Sequence, residues 1–161
     1  MNIGEALLSI KAKRSELVRL QEMRANSFKR RIDGNTVILP PENESFPTVT
    51  LEISKLTTEI RGLKVKVENT NHNHKIDTPE GRMTIAEAIH YVADMRSELA
   101  SLQTLKDEYN PKDRWGDETA VQYSYQINQR SLLHMINELE SKKVRMDAFL
   151  SARNWEIELD E

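Results

Sequence analysis

Residues 3–21, Ile3-Gly4-Glu5-Ala6-Leu7-Leu8-Ser9-Ile10-Lys11-Ala12-Lys13-Arg14-Ser15-Glu16-Leu17-Val18-Arg19-Leu20-Gln21, are written a second time 82 residues later, over 85–103. The two stretches agree at nine of nineteen positions, including Arg14-Ser15-Glu16-Leu17 over Arg96-Ser97-Glu98-Leu99 and Leu20-Gln21 over Leu102-Gln103. A shift of 83 then lays Val49, Ile53, Leu56, Ile60, Leu63, Val67 and Asn71 over Leu132, Ile136, Leu139, Lys143, Met146, Leu150 and Asn154. One helix–loop–helix unit is therefore repeated. The sequence predicts a single domain, 1–161, made of repeat 1 (1–80) and repeat 2 (81–161).

The spacing within each copy says what the unit is. Val49, Ile53, Leu56, Ile60, Leu63 and Val67 step alternately by four and three, the heptad seam of a helix that packs along one face. Leu132, Ile136, Leu139, Met146 and Leu150 repeat that seam, with Lys143 as a lone charge on it. Lys143, like Arg14 and Arg96, is expected to pair with a nearby carboxylate such as Glu16, Glu98, Glu138 or Glu140. The first helix should run from about 3 to 31, with Asn2 as N-cap and Asp33-Gly34 as stop signal. The second should end at the polar run Asn69–His74. Thr84-Ile85-Ala86-Glu87 has the spacing of a capping box and opens the third. Asn110-Pro111 should close it. The expectation is an all-α protein with minor β: two tandem repeats forming a four-helix bundle of coiled-coil-like hairpins. Val37-Ile38-Leu39 and Ala120-Val121-Gln122-Tyr123 hold matching places in the two connectors, where they can form short strands paired across the pseudo-symmetry axis.

Composition narrows the classes. Lys and Arg number 23 against 26 Asp and Glu, a formal charge of −3, so nothing steers the whole chain towards nucleic acid. No cysteine is present, which removes disulfides and thiolate metal sites and fits a reducing compartment. No apolar run reaches the ~20 residues of a membrane span, and the N-terminus has no leader pattern. A cytoplasmic location with no membrane engagement is expected. Locally, residues 1–31 hold eight basic residues against three acidic ones. Arg24, Lys29, Arg30 and Arg31 close that segment as a candidate anion site, with Phe28 as the only aromatic beside them.

Catalytic patterns are sparse. His72-Asn73-His74 with Asp77 brings imidazole and carboxylate together, but the spacing matches no defined zinc pattern. Glu87-Ala88-Ile89-His90 is half of a carboxylate di-metal motif that lacks its second half. No phosphate loop, nucleotide fingerprint or nucleophile elbow occurs. No catalytic residue, metal or cofactor is expected.

One resemblance spans nearly the whole chain. Asn71 after a heptad helix, Gly81-Arg82-Met83-Thr84-Ile85-Ala86-Glu87-Ala88, Asp113-Arg114-Trp115, then Asp147 and Asn154-Trp155, resemble a group of small helical bacterial proteins filed under the name septicolysin. This chain carries Trp115 where that group commonly shows Tyr. The resemblance implies an all-helical, oligomeric protein and brings no catalytic residues. A lytic role, which the name implies, is opposed here by the lack of an apolar hairpin and of a cationic helix with aromatic anchors. The leading expectation is a non-enzymatic interaction module that self-assembles through the seams, with a further protein partner open. An anion or nucleic-acid binder comes second. A metal-dependent enzyme and a membrane-active protein come last.

Overall fold

The computed structural model describes residues 1–109 and 124–160, Arg31 by its backbone alone. In chain order it contains α1 (Ile3–Ser27), β1 (Arg31–Asp33), β2 (Thr36–Ile38), a 3-10 turn (Glu42–Glu44), α2 (Phe46–Asn73), β3 (Lys75–Thr78), β4 (Gly81–Thr84), α3 (Ile85–Glu108) and α4 (Gln129–Arg153). The protein is mostly helical with minor antiparallel β. Asp113-Arg114-Trp115, the Asn110-Pro111 helix end, and the strand expected at Ala120–Tyr123 lie outside the described residues.

The duplication is visible residue by residue. α1 opens at Ile3 and α3 at Ile85, while α2 opens at Phe46 and α4 at Gln129. Both first helices start with a capping box. The Glu5 N–H donates to Asn2 Oδ1 at 2.8 Å and the Asn2 N–H to Glu5 Oε2 at 3.0 Å. At α3 the Glu87 N–H donates to Thr84 Oγ1 at 3.1 Å, and the Thr84 N–H to Glu87 Oε2 at 2.6 Å. Each box satisfies backbone donors that the first turn leaves without helical partners. The strand contacts repeat as well. The Ile85 N–H donates to the His74 carbonyl at 3.1 Å, and the Ile3 N–H to the Ile157 carbonyl at 3.0 Å. Lys75 pairs with Thr84 in the β3–β4 ladder, and Glu158 bridges Asn2 in the same way.

Two compact units result: residues 1–71 with 154–161, and residues 72–153. The C-terminal segment is to unit 1 what β3 is to unit 2, so unit 1 closes with strand contacts from the end of the chain. The physical division falls at 71/72 and 153/154 because each strand joins the helix whose N-terminus it caps.

Unit 2 is held by Leu99 and Leu102 of α3 against Leu132 and Ile136 of α4, all buried, with Tyr109 and Leu139 half-buried beside them. Tyr125 stacks on Tyr109 with ring centres 4.3 Å apart. The Tyr109 hydroxyl donates to the Ile127 carbonyl, and the Tyr125 hydroxyl to the Glu108 carbonyl at 2.9 Å. Arg96 pairs with Asp147 at 2.7 Å, a different carboxylate from the glutamates expected. In unit 1, Val49 and Ile3 are fully buried, with Leu20, Ile53, Leu56, Ile60 and Val67 close to it. Of the other seam residues, Met146 is fully buried, and Leu63, Leu139 and Leu150 are half-buried.

Three boundaries differ from the sequence reading. α1 ends at Ser27 because residues 31–38 form a hairpin, with Arg31 opposite Ile38. Gly34, with φ of +59°, opens its two-residue turn, so Asp33-Gly34 is a hairpin signal and not a helix stop. The strand at Thr36–Ile38 thus pairs locally with β1. α2 runs to Asn73, through the polar run expected to break it. Thr70 there is fully buried, and its hydroxyl donates to the Lys66 carbonyl at 2.9 Å. A bond to the carbonyl one turn back satisfies the hydroxyl without opening the helix.

Candidate functional site

A concavity of about 770 Å³ lies within unit 1, between α1, α2 and the C-terminal segment. Helical spacing builds two of its walls. Ser9 and Lys13 stand one turn apart on α1. Glu59, Gly62, Leu63 and Lys66 step along one stripe of α2. Glu158, Leu159 and Asp160 form the third wall together with Met1. The Leu159 N–H donates to the Met1 carbonyl at 3.0 Å, and the Asp160 N–H to Thr70 Oγ1 at 2.9 Å. Trp155 anchors the approach to this wall: a Cβ placed on Gly4 would sit 2.7 Å from its ring, so only glycine fits beneath it.

Charge in the cleft is mostly paired. Lys13 Nζ lies 2.5 Å from Glu59 Oε2, tying α1 to α2. The Met1 amino group lies 2.7 Å from Glu158 Oε2, and the hydrogen bond and charge of Glu158 hold it above its ordinary pKa. Among the described residues Lys66 has no ion pair, although its carbonyl accepts from Thr70.

The repeat shows why this space exists. At the positions of Ser9, Gly62, Leu63 and Lys66, repeat 2 carries Tyr91, Arg145, Met146 and Phe149. The Tyr91 hydroxyl donates to Glu80 Oε2 at 3.4 Å, and Lys142, the counterpart of Glu59, reaches the same oxygen at 3.3 Å. The Phe149 ring carries the Arg153 guanidinium 5.0 Å above its centre. Bulky or tethered side chains in one copy correspond to a serine, a glycine and an unpaired lysine in the other.

A second surface lies where α1 gives way to the β1–β2 hairpin. Phe28, Ile32 and Leu39 are 70%, 68% and 67% exposed, and Val37, Ile38 and Phe46 are exposed too. The Phe28 and Phe46 rings meet at 5.9 Å. Clustered large apolar side chains in water are the informative exception to ordinary burial. Lys29 and Arg30 are exposed beside it, Arg24 is half-buried a turn earlier, and Arg31 begins β1.

The histidine candidates do not converge on one point. His72 lies in the last turn of α2, the carbonyl of His74 receives the Ile85 N–H, and Asp77 sits on β3 with Arg82 at 3.9 Å. Among the described residues no three His, Asp or Glu side chains are placed to hold a metal ion. Sequence reasoning missed Ser9, Gly62 and Lys66. The signal for them was present in the aligned repeats, at positions where side-chain size differs between the two copies.

The chain belongs to a family of unknown function, DUF6847, whose profile matches residues 12–159. Its structure is similar to the crystal structure of a functionally unknown conserved protein from Corynebacterium diphtheriae, with a TM-score of 0.76 over 99% of each chain at 19% identity. That likeness establishes the fold alone. No curated protein matches the chain. The name septicolysin is carried by neither match. Among the described residues no helix is long and apolar enough to cross a membrane.

Proposed function

Within that family of unknown function, we propose that this chain is a non-enzymatic binding and assembly module that associates with itself through the apolar end of unit 1. The observation that carries the reading is the exposure of six large apolar side chains in and beside the hairpin, Phe28, Ile32, Val37, Ile38, Leu39 and Phe46. A two-stranded sheet of three-residue strands is marginal by itself, and both its edges have free ladder groups that a second copy can pair with. Association through this end would bury the cluster and extend the sheet together. The helical seams expected to carry assembly are largely spent inside the units, which leaves the hairpin end as the better candidate.

Sedimentation velocity on the full chain tests this. Wild type is expected to associate, and Ile32→Asp with Leu39→Asp to be monomeric with unchanged helicity, because both side chains stand in water. A monomeric wild type, or a variant that still associates, refutes the assignment. The second reading, anion binding by Arg24, Lys29, Arg30 and Arg31, draws on the cations beside the same cluster. Affinity for nucleic acid would then fall steeply with salt. A membrane-active role would require leakage from anionic vesicles that the two aspartates abolish.

A further inference from the structure

We propose that the cleft of unit 1 binds a free single-chain anionic amphiphile, an aliphatic tail ending in a carboxylate, with the tail along Leu63 and Leu159 and the head on Lys66. The volume of about 770 Å³ falls in the range of small-molecule sites, ~300–1,000 Å³, which are mostly apolar with a few polar groups that set orientation. Gly62 lacks a side chain on the α2 wall, and a Cβ added there would meet nothing within 4 Å, so the space beside it is open. The methylene stems of Lys13 and Lys66 add apolar wall while their ammonium groups remain wet.

The head group follows from the charge inventory. Lys13 is neutralised by Glu59 and Glu158 by the Met1 amino group. Asp160 has partners of its own. Lys66 is the lining cation with no ion pair among the described residues, and an ammonium group is a compact triple donor suited to a carboxylate. A cationic head would be repelled by Lys66, and an uncharged one would forgo the charge-assisted hydrogen bond. The repeat supplies an independent argument. Repeat 2 has Phe149 at the place of Lys66 and Tyr91 at the place of Ser9, so the second copy puts a ring at both positions and no ammonium group at the first.

The test is isothermal titration of the full chain with sodium laurate below its micelle concentration, alongside dodecanol and dodecyltrimethylammonium. Laurate should bind one to one. Dodecanol should bind about tenfold more weakly, the loss of one charge-assisted hydrogen bond, and Lys66→Gln should weaken laurate by a similar factor. Gly62→Leu should abolish binding with helicity unchanged. Ser9→Tyr, which installs the residue repeat 2 carries, blocks the space from the opposite wall and should do the same. Failure of laurate to bind overturns the proposal. So does unchanged binding in both filled variants, or dodecyltrimethylammonium binding as tightly as laurate. Uptake at many sites that Ile32→Asp removes would place the amphiphile on the hairpin end and also overturn it.

Discussion

Unit 1 and unit 2 grow from the same repeated sequence, yet they use equivalent positions differently. Leu99, Leu102, Leu132 and Ile136 pack unit 2 into a buried cluster, and Arg96–Asp147 adds an ion pair between its helices. The counterparts of the cluster in unit 1, Leu17, Leu20, Val49 and Ile53, keep the apolar pattern, with Leu17 only half-buried. The counterparts of the ion pair are Arg14 and Lys64, two like charges. Unit 1 instead joins its helices by Lys13–Glu59 across an open cleft. The difference teaches that the duplicated heptads specify where helices run, while the positions between them decide whether the space is packed or left open.

That contrast can be broken most strongly at the packed side. Leu132→Ala should cost about 2–5 kcal/mol in urea unfolding, through lost burial and the cavity left behind. A loss under about 1 kcal/mol would show that the α3–α4 cluster does not hold unit 2. Gly4→Ala should cost about 1–3 kcal/mol by driving a methyl group into the Trp155 ring, and should change the tryptophan fluorescence. Its mirror experiment, Ala86→Gly in unit 2, should cost about 0.5–1 kcal/mol from helix entropy alone. Equal effects would remove the steric reading of Gly4.

The caps should behave alike where the cores do not. Asn2→Ala and Thr84→Ala are each expected to lose about 0.5–2 kcal/mol, read as a drop in melting temperature. Gly62→Ala should stabilise by about 0.4–1 kcal/mol, since the new methyl group meets open space on a helix. Destabilisation would mean the cleft is already full. The smallest effects are in pH. The Thr84 backbone N–H and hydroxyl hold Glu87 below its ordinary pKa, so its contribution is complete above that ordinary value and fades as acid carries the pH through the folded value. The Met1 amino group is held above its ordinary value by Glu158, so its contribution is complete below that value and fades as alkali carries the pH through the folded one. Glu87→Gln should therefore flatten the acid limb of a stability profile, and Glu158→Gln the alkaline limb.

Much of the fold was legible because it rests on periodicity. The heptad from Val49 to Val67, its copy from Leu132, and the Thr84–Glu87 box each encode helix placement locally. The end of α2 was not, because the compatibility of Thr70 with the helix depends on a back-bonded hydroxyl and on Asp160, which is distant in sequence. The hairpin at Gly34 was misread because Asp-Gly signals both helix ends and tight turns, and the flanking β-branched residues decided between them. The cleft escaped notice for a different reason. Ser9 and Gly62 matter through what they lack, and no pattern within one repeat records a missing side chain.

Hydrogen exchange of the intact protein, followed by peptide mass spectrometry, tests most directly that unit 1 is the open half and unit 2 the packed one. Amide protection follows local packing. Exchange should be faster in α1 residues 8–13 and α2 residues 58–67 than in their counterparts 90–95 and 141–150, with laurate slowing the first pair alone. Equal protection in the two halves, or faster exchange in unit 2, would contradict it.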